Sequence, residues 1–324
     1  MLDVLTIGDI KLDTFIMIPG ASVMCGLKER DCKLCLDYGA KIPIEHSTSE
    51  IAGSAPNVAV GIARMGNKSA IISVMGADVT HALAIDFLKK NGVETRYIAA
   101  KEGRNSSYAA VLSFRGESTQ LAVLGSVDYR LPSPPPKTAW MHLGELGDGY
   151  ERLYRDVIGA VRKGGVQVCF NPGQVQLKER KKDLFTMIAA SEVLFVNRVE
   201  AIELLAISPS TAMPTILTKL YALGADDVVI TDGANGAYAY DGKTAYFVPA
   251  FPGKRVEATG AGDAFVTGYL GALLHKKSAN EALRWASVNA ASVIGTVGPT
   301  AGLLTDKAII GRLAKKPAYK TKML

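Results

Sequence analysis

The sequence lacks the short motifs that mark several common enzyme classes. It contains no G-x-x-x-x-G-K-[S/T] phosphate loop, no H-E-x-x-H zinc motif, no G-x-S-x-G nucleophile elbow and no G-x-G-x-x-G after its first predicted strand. Its four histidines are scattered at positions 46, 81, 142 and 275. These absences argue against a P-loop NTPase, a zinc protease, a serine hydrolase and a Rossmann dehydrogenase.

Long hydrophobic runs are also missing. No apolar stretch reaches the ~20 residues of a membrane span, because Gly, Lys or Asp interrupts each one. The N-terminus enters a short β-rich run at residues 3–8, without the basic segment and apolar stretch of a secretory signal. We therefore expect a cytoplasmic protein with no membrane partner.

Cysteine is scarce, with four residues in a chain of 324. Cys25, Cys32 and Cys35 lie close together, and His46 follows. A zinc knuckle is one interpretation, although a closed zinc site normally uses two paired ligand sets and only one C-x2-C pair is present. Reduced cysteines are the other interpretation, which suits an intracellular chain because such chains seldom rely on disulfides.

The charge balance is mildly positive. There are 37 basic and 31 acidic residues, and the net charge is +6. The one basic cluster is the C-terminal tail, where no nucleic-acid recognition motif accompanies Lys315, Lys316, Lys320 and Lys322. We expect no nucleic-acid partner and a preference for anionic small molecules such as nucleotides.

Strand-like runs alternate with helix-period segments along most of the chain. Strands are predicted at residues 3–8, 69–75, 139–143, 166–170, 192–196 and 227–231. Helices are predicted near residues 54–65, 79–91, 149–163, 179–190 and 212–223. This order predicts a three-layer α/β/α sandwich around a mainly parallel central sheet, formed as one domain over residues 1–324.

Two stretches, residues 11–50 and 98–127, break the alternation. The first contains no convincing helix, and the second reads as two strands, Ser107 to Phe114 and Ser118 to Leu124, joined by Arg115-Gly116-Glu117. We predict that both contribute to a small β lid over the substrate site, which excludes water from the reaction. Lid strands also pair readily with those of a second subunit, so a homodimer through the lid is an open alternative.

The segment Thr259-Gly260-Ala261-Gly262-Asp263 leads into a predicted helix. Unpaired amides at the start of a helix lie at the positive end of its dipole and bind anions such as phosphate. Asp263 either stabilises the helix start or accepts the proton of an attacking hydroxyl in phosphoryl transfer. The residues alone support both roles.

Residues 259–265 resemble the C-terminal signature of the PfkB, or ribokinase, family of carbohydrate kinases. The resemblance implies that the amides of Gly260, Ala261 and Gly262 form an anion hole for the transferring phosphate and that Asp263 is the catalytic base. Other stretches resemble the family in the same order, so the similarity spans nearly the whole chain. It implies a ribokinase-like fold and an ATP-dependent kinase that phosphorylates a hydroxyl of a sugar.

Two further stretches resemble the family's substrate-binding segments. Gly53-Ser54-Ala55-Pro56-Asn57 is similar to its N-terminal glycine motif, which implies that Gly53, Ser54 and Asn57 bind substrate hydroxyls, although Ser54 stands where a second Gly is common. Ser54 is also suited to cap a helix. Gly8-Asp9 and Asp13 resemble the first-strand segment that supplies a substrate-binding carboxylate, here Asp13, although an aspartate after a strand is also a common turn former.

The resemblance also implies an ATP and magnesium site. Asn197-Arg198-Val199-Glu200 is similar to the N-x-x-E motif, whose glutamate organises Mg²⁺ through water, and the same residues suit a helix capping box. The segment from Thr231 to Gly236 resembles the nucleotide loop, in which Thr231 and Gly233 approach the phosphates. Asn289 matches an asparagine near the adenine.

One position departs from the family pattern. Glu257 stands where the family usually has Asp followed by Thr, in a loop that holds an activating monovalent cation in many members. The sequence therefore leaves dependence on a monovalent cation such as K⁺ open.

The acceptor also stays open. A nucleoside kinase of the adenosine or inosine-guanosine type is the main alternative, favoured by four aromatic residues near the lid: Phe15, Tyr38, Tyr108 and Phe114. Asn105, Ser106 and Ser107 favour a sugar instead. A phosphosugar is a third acceptor, through Lys28, Arg30 and Arg104. A catalytically silent nucleotide or sugar sensor is the alternative outside enzymes, although binding alone does not need Asp263.

Overall fold

The computed structural model describes residues 1–25, 32–115, 117–123 and 128–324. Its strands are β1 (Leu2–Ile7), β2 (Lys11–Met17), β3 (Ser22–Cys25), β4 (Cys32–Cys35), β5 (His46–Ala52), β6 (Ser69–Gly76), β7 (Val93–Glu94), β8 (Ile98–Lys101), β9 (Ser107–Phe114), β10 (Glu117–Val123), β11 (Thr138–Leu143), β12 (Gln167–Phe170), β13 (Val193–Asn197), β14 (Asp227–Thr231), β15 (Ala237–Tyr240), β16 (Ala245–Val248) and β17 (Lys322–Met323). Its helices are α1 (Ser54–Arg64), α2 (Val79–Lys90), α3 (Glu151–Arg162), α4 (Gln174–Glu179), α5 (Lys182–Ile188), α6 (Arg198–Leu205), α7 (Met213–Tyr221), α8 (Ala261–Leu274), α9 (Ala279–Val293) and α10 (Asp306–Ala314).

A large mixed sheet forms the centre of the molecule. Its order is β17-β16-β15-β14-β13-β12-β11-β1-β6-β7, and β8 also pairs with β6. From β14 to β7 all pairings are parallel, whereas β15, β16 and β17 add an antiparallel edge. The six predicted core strands are confirmed. None of the helices described is both long and apolar enough to cross a membrane.

Helices cover both faces of this sheet. Successive residues of a strand point to opposite faces, so Val4 and Leu5 of β1 enter two different apolar clusters. Leu5 belongs to the cluster that contains Tyr154 of α3, whereas Val4 belongs to the one that contains Tyr269 of α8. All four side chains are inaccessible to solvent, and burying each one contributes about 1.5–3 kcal/mol. The three-layer architecture is therefore confirmed.

One predicted helix is wrong in its extent. The helix expected near residues 179–190 is α5, which begins only at Lys182 and ends at Ile188, and a separate short helix, α4, ends at Glu179 before it. Arg180 between them adopts the left-handed conformation, with φ 49°. That conformation cannot continue a right-handed helix, so the chain turns there.

The predicted lid is a separate four-stranded sheet of order β10-β9-β2-β5. The strand register assigns alternate residues to two faces: the inner lid face carries Lys11, Asp13, Glu50, Ser118 and Gln120, and the outer lid face carries Leu12, Ile16, Tyr108, Leu112, Leu121 and Val123. Of the predicted lid, residues 26–31, Gly116 and residues 124–127 lie outside the described part of the chain.

The cysteines behave differently from both interpretations of the sequence. Cys25 and Cys32 are directly opposite in the antiparallel pair β3–β4 and form a disulfide, so the expectation of reduced cysteines is wrong for these two. Only the hairpin register brings the two sulfurs together, and spacing alone does not reveal it. Cys35 keeps a free thiol. Within the described ranges, no three His, Cys, Asp or Glu side chains are grouped to hold a metal ion, which leaves the zinc knuckle without support.

Candidate active site

A cleft lies at the carboxyl ends of the central parallel strands, beneath the inner lid face. Ligand sites of open α/β sheets typically form at this edge. Fifteen of the described residues line the cleft: Lys11, Asp13, Gly53, Ser54, Asn57, Gln120, Glu145, Asn171, Pro172, Gly173, Gln174, Glu200, Thr259, Gly260 and Asp263. The fold thus brings together the predicted substrate segments, the anion-binding turn and Glu200.

The anion-binding turn is the start of α8. Gly260 precedes the helix with φ 79°, and a Cβ there would lie 2.6 Å from the Cβ of Pro299, so only glycine fits. The Ala261 amide donates to the carbonyl of Ala258 at 3.2 Å, which removes it from the predicted anion hole. Within the described part of the chain the amides of Gly260, Gly262 and Asp263 have no backbone acceptor, so these three are the available donors.

Asp263 is held by a neighbouring helix. The Nδ2 of Asn57 in α1 donates to the Oδ2 of Asp263 at 2.7 Å, and Asn57 is buried. Burial raises the pKa of Asp263, while the hydrogen bond from Asn57 and the charge of Lys11 oppose the rise. The carboxylate is therefore a stronger base than an ordinary aspartate, and it faces the free amides at the start of its own helix.

The first residues of the lid bring an ion pair into the cleft. Lys11 Nζ donates to Glu145 Oε2 at 3.0 Å, and the Lys11 side chain is only 7% exposed. Burial would lower the pKa of Lys11, but attraction by Glu145 and Asp13 outweighs it and the pKa is raised. Lys11 is therefore charged, and most of its charge is balanced by Glu145.

Asp13 lies on the same strand as Lys11, two residues on, and therefore on the same face. It is 2% exposed, and its Oδ1 has no hydrogen-bond partner among the described residues. Burial raises its pKa to about 6, Lys11 opposes the rise, and Glu145 adds to it. Asp9 on the preceding turn behaves similarly, with a pKa of about 7 caused by burial and by Glu145. A buried acceptor without a partner suits a ligand hydroxyl.

The glycine motif positions Asn57. Gly53 precedes α1 with φ 125°, and a Cβ there would lie 2.4 Å from the carbonyl oxygen of Asp9. Gly53 therefore takes the cap position, and Ser54 is the first residue of the helix rather than its cap as the sequence suggested. This close approach lets the start of α1 sit directly against the turn after β1.

The lid contacts the loop before the anion-binding turn. Ser118 Oγ of β10 donates to Glu257 Oε1 at 2.8 Å, and the amide of Thr259 donates to the same oxygen at 2.7 Å. Glu257 is buried. Its carboxylate therefore bridges the lid and the residue immediately before Gly260.

The N-x-x-E residues form the capping box that was one of their two predicted roles. Glu200 Oε2 accepts from the Asn197 amide at 2.8 Å, and Asn197 Oδ1 accepts from the Glu200 amide at 2.9 Å. Glu200 nevertheless lines the cleft, and burial raises its pKa against the opposing Asn197 hydrogen bond. A carboxylate in the same cleft as the predicted anion-binding turn fits a magnesium ion bound through water.

The predicted nucleotide residues are divided by the structure. Thr231 pairs with Asn197 across parallel strands, and Arg198 contacts Asp232 at 3.3 Å, so the turn at Gly233 adjoins the N-x-x-E helix. Asn289, in contrast, does not line the cleft.

Asn289 is fully buried, and both ends of its amide are used within the protein. Its Nδ2 donates to the Ala264 carbonyl at 2.8 Å, and its Oδ1 accepts from the Leu304 amide at 2.9 Å. Its predicted place near the adenine stays a prediction, because these contacts show only that the side-chain amide is engaged within the protein. Asn289 supports the first turn of α8.

Sequence reasoning missed several cleft residues, chiefly Lys11, Gln120, Glu145 and Asn171. Glu145 and Asn171 follow directly after β11 and β12, at the strand ends where α/β sheets bind ligands, and that position could have identified them. Strand alternation identifies Lys11 and Gln120 as residues that face the cleft, once the register of the lid is known. Of the three predicted phosphosugar cations, Lys28 and Arg30 lie outside the described residues, and Arg104 is exposed and outside the cleft lining.

Comparison with known proteins identifies the family. The model of the pfkB family carbohydrate kinases matches residues 21–306. The ribokinase of Haemophilus influenzae is 23% identical over 261 residues, covering 78% of this chain and 84% of that protein.

Solved structures share the fold. The Arabidopsis thaliana ribokinase complexed with ribose and ATP superposes with a TM-score of 0.79 at 19% identity, covering 96% of this chain and 98% of that one. A candidate ribokinase II of E. coli in complex with ATP and Mg²⁺ gives 0.78 at 18% identity, covering 97% and 100%. This chain belongs to the pfkB carbohydrate kinase family, a family of sugar and nucleoside kinases.

Proposed function

We propose that this protein transfers the γ-phosphoryl group of ATP to a hydroxyl of a sugar. One observation carries the proposal: a half-buried aspartate, Asp263, stands beside three free amides at the start of α8 in a lidded cleft. An anion cradle and a base side by side are what phosphoryl transfer to a hydroxyl requires.

Asp263 is the proposed base. Its Oδ2 is held by Asn57, so the carboxylate is oriented toward the cleft and accepts the proton of the attacking hydroxyl. Burial raises the pKa of Asp263 and therefore its proton affinity, while the hydrogen bond from Asn57 and the charge of Lys11 favour its anion. Asp13 and Asn57 orient the acceptor through their unpaired oxygens.

The amides of Gly260, Gly262 and Asp263 are the proposed cradle for the transferring phosphoryl oxygens. Glu200 would hold Mg²⁺ through water, and the ion would neutralise phosphate charge when bound. The remaining ATP phosphates are proposed to lie near Thr231 and Gly233, at the end of the adjoining strand. The use of ATP as the phosphate donor supports a cytoplasmic location. Whether K⁺ activates the enzyme is decided by running the same assay with and without it.

A sugar is favoured over a nucleoside by the character of the cleft. None of its described lining residues is aromatic, so it offers no ring on which a base could stack. Phe15 lies on the inner lid face, buried with Ala109 and Val111 and outside the cleft lining, whereas Tyr38 and Tyr108 are exposed. The silent-sensor alternative leaves the orientation of Asp263 by Asn57 without a purpose.

The outer lid face supports a homodimer. Tyr108 and Val123 lie opposite each other on it, and Tyr108, Leu121 and Val123 are 40%, 60% and 69% exposed. The face also carries the polar pair Thr14 and Ser49. An exposed apolar patch on a sheet is typical of an interface between subunits. We propose that a second copy of the chain covers it.

The testing experiment is ADP release from Mg-ATP against a panel of pentoses, hexoses, keto-deoxy acids, phosphosugars and nucleosides. Acceptor-dependent release with a sugar supports the proposal. ATP binding without stimulation by any acceptor would leave the sensor as the better explanation.

A further inference from the structure

We propose that the acceptor site selects a substrate that brings hydrogen-bond donors and carries no negative charge: a neutral polyhydroxy compound or one bearing an ammonium group. This inference rests on the proposed function and deepens it. It excludes phosphosugars and sugar acids as preferred acceptors.

The first support is the charge of the cleft. Asp13, Glu145, Glu200 and Asp263 supply four carboxylates, whereas Lys11 is the one cationic side chain among the described lining residues. Asp13 and Asp263 lie on the acceptor side with Lys11, and Glu200 lies at the magnesium side. A second anion on the acceptor would therefore enter a negative field in a buried site, where charge repulsion is strong.

The second support is the state of Lys11. Its ammonium group donates to Glu145 at 3.0 Å, and the side chain is buried, so the charge is already balanced. An anionic acceptor would need to displace Glu145 to use this cation, and would leave a carboxylate that is only 29% exposed without its partner.

The third support is the set of unpaired polar atoms. Asp13 Oδ1 and Asn57 Oδ1 are both buried without a hydrogen-bond partner among the described residues. Asn57 already uses its Nδ2 on Asp263, so its remaining oxygen accepts and cannot donate. Both atoms need a donor from the ligand. Hydroxyl and ammonium groups supply one, whereas carboxylate and ionised phosphate groups supply only acceptors.

These observations make Glu145 a specificity residue. In Glu145→Gln the shape is kept and the negative charge is lost, which frees Lys11 to pair with an anionic acceptor. We expect the ratio of kcat/KM for an anionic acceptor to that for its neutral partner to rise at least about tenfold, which corresponds to 1.4 kcal/mol. The control is Glu94→Gln, which removes a glutamate paired with Arg96 outside the cleft and leaves the ratio unchanged.

The experiment measures ADP release with acceptors matched for skeleton: D-glucose, D-glucosamine and D-glucuronate; D-ribose and D-ribose 1-phosphate; adenosine and its 3′-monophosphate. In each set that is turned over, the neutral or ammonium-bearing member is expected to exceed the anionic one at least about tenfold in kcat/KM. A circular dichroism spectrum and a melting temperature confirm that each variant is folded. If Glu145→Gln does not fold, Lys11→Gln replaces it. A lower ratio of kcat/KM for the neutral acceptor to that for the anionic acceptor in this variant is then evidence against the proposal.

Two results would overturn the inference. An anionic acceptor that equals or exceeds its neutral partner in the wild type overturns it while the kinase assignment stands. An unchanged ratio in folded Glu145→Gln removes the role of the ion pair. If no acceptor at all stimulates ADP release, the proposed function itself fails, and the selectivity inference falls with it.

Discussion

Replacing Asp263 by Asn tests the proposed base directly. The substitution preserves size and can still accept the hydrogen bond that Asn57 donates at 2.7 Å, so the local packing should persist. What is lost is the ability to take a proton from the acceptor. Loss of a general base typically reduces the rate by about 10²–10⁴, which corresponds to about 3–5 kcal/mol in the activation free energy.

The same variant is expected to lose activity without losing thermal stability. Burial raises the pKa of Asp263 in the folded protein, so its ionised form is less favourable there than in the unfolded chain. Such a group stabilises the fold below its unfolded pKa, and the contribution is lost as the pH rises through its folded pKa. Asn never ionises, so at pH 8 the melting temperature of Asp263→Asn should equal or exceed that of the wild type.

The assay combines kcat from ADP release, the KM for ATP and a thermal melt. We expect kcat to fall, the KM for ATP to change little, and the melting temperature not to drop. Asp306→Asn is the matched control, because Asp306 also lies in the first turn of a helix but contacts His275 and not the cleft. A loss of less than about tenfold in kcat, with the protein folded, would refute the base assignment.

Three further predictions concern the lid and the acceptor. Ser118→Ala removes the hydroxyl that donates a hydrogen bond to Glu257. Because such a hydrogen bond contributes roughly 0.5–1.5 kcal/mol, the KM for the acceptor should rise about 3- to 10-fold with little change in kcat. The acceptor kcat/KM should fall as the pH drops through about 6, where Asp13 becomes protonated, and the acid limb should be shallower in Asp13→Asn. Leu121→Glu places a charge on the outer lid face, 60% exposed, and should convert a dimer to a monomer in analytical ultracentrifugation.

Each of these has a control and a contrary outcome. Thr119→Ala alters the neighbouring residue on the opposite face and should leave the KM for the acceptor unchanged, so an equal effect would argue against the Ser118 contact. An acid limb that is identical in Asp13→Asn would assign it to other groups. Val79→Glu is the control for the dimer, because it adds the same charge at an exposed position of α2. A wild type that is already monomeric would contradict the dimer proposal.

The sequence was sufficient for the architecture because the architecture depends on local periodicity. The core strands and the helices between them alternate with apolar patterns that any parallel α/β sheet must show, and the six predicted core strands are found. The helix predicted near residues 179–190 is found as the shorter α5, whose start is set by the single left-handed residue Arg180 before it.

The sequence also located the chemistry wherever it lies in a short contiguous motif. The turn at Gly260 and the carboxylate of Asp263 are neighbours in the chain, so their roles could be inferred together. The exact donors could not, because whether Ala261 turns its amide to Ala258 depends on the backbone path. Asn289 matched a motif, yet its amide is used inside the protein.

Tertiary structure alone decided which distant residues share the cleft. The pair Lys11–Glu145 spans 134 positions and the pair Asn57–Asp263 spans 206, and neither carries a local pattern. The disulfide of Cys25 with Cys32 likewise depends on hairpin register. Periodicity reports which face of an element is buried, but the partner across a buried contact is chosen by how the elements pack.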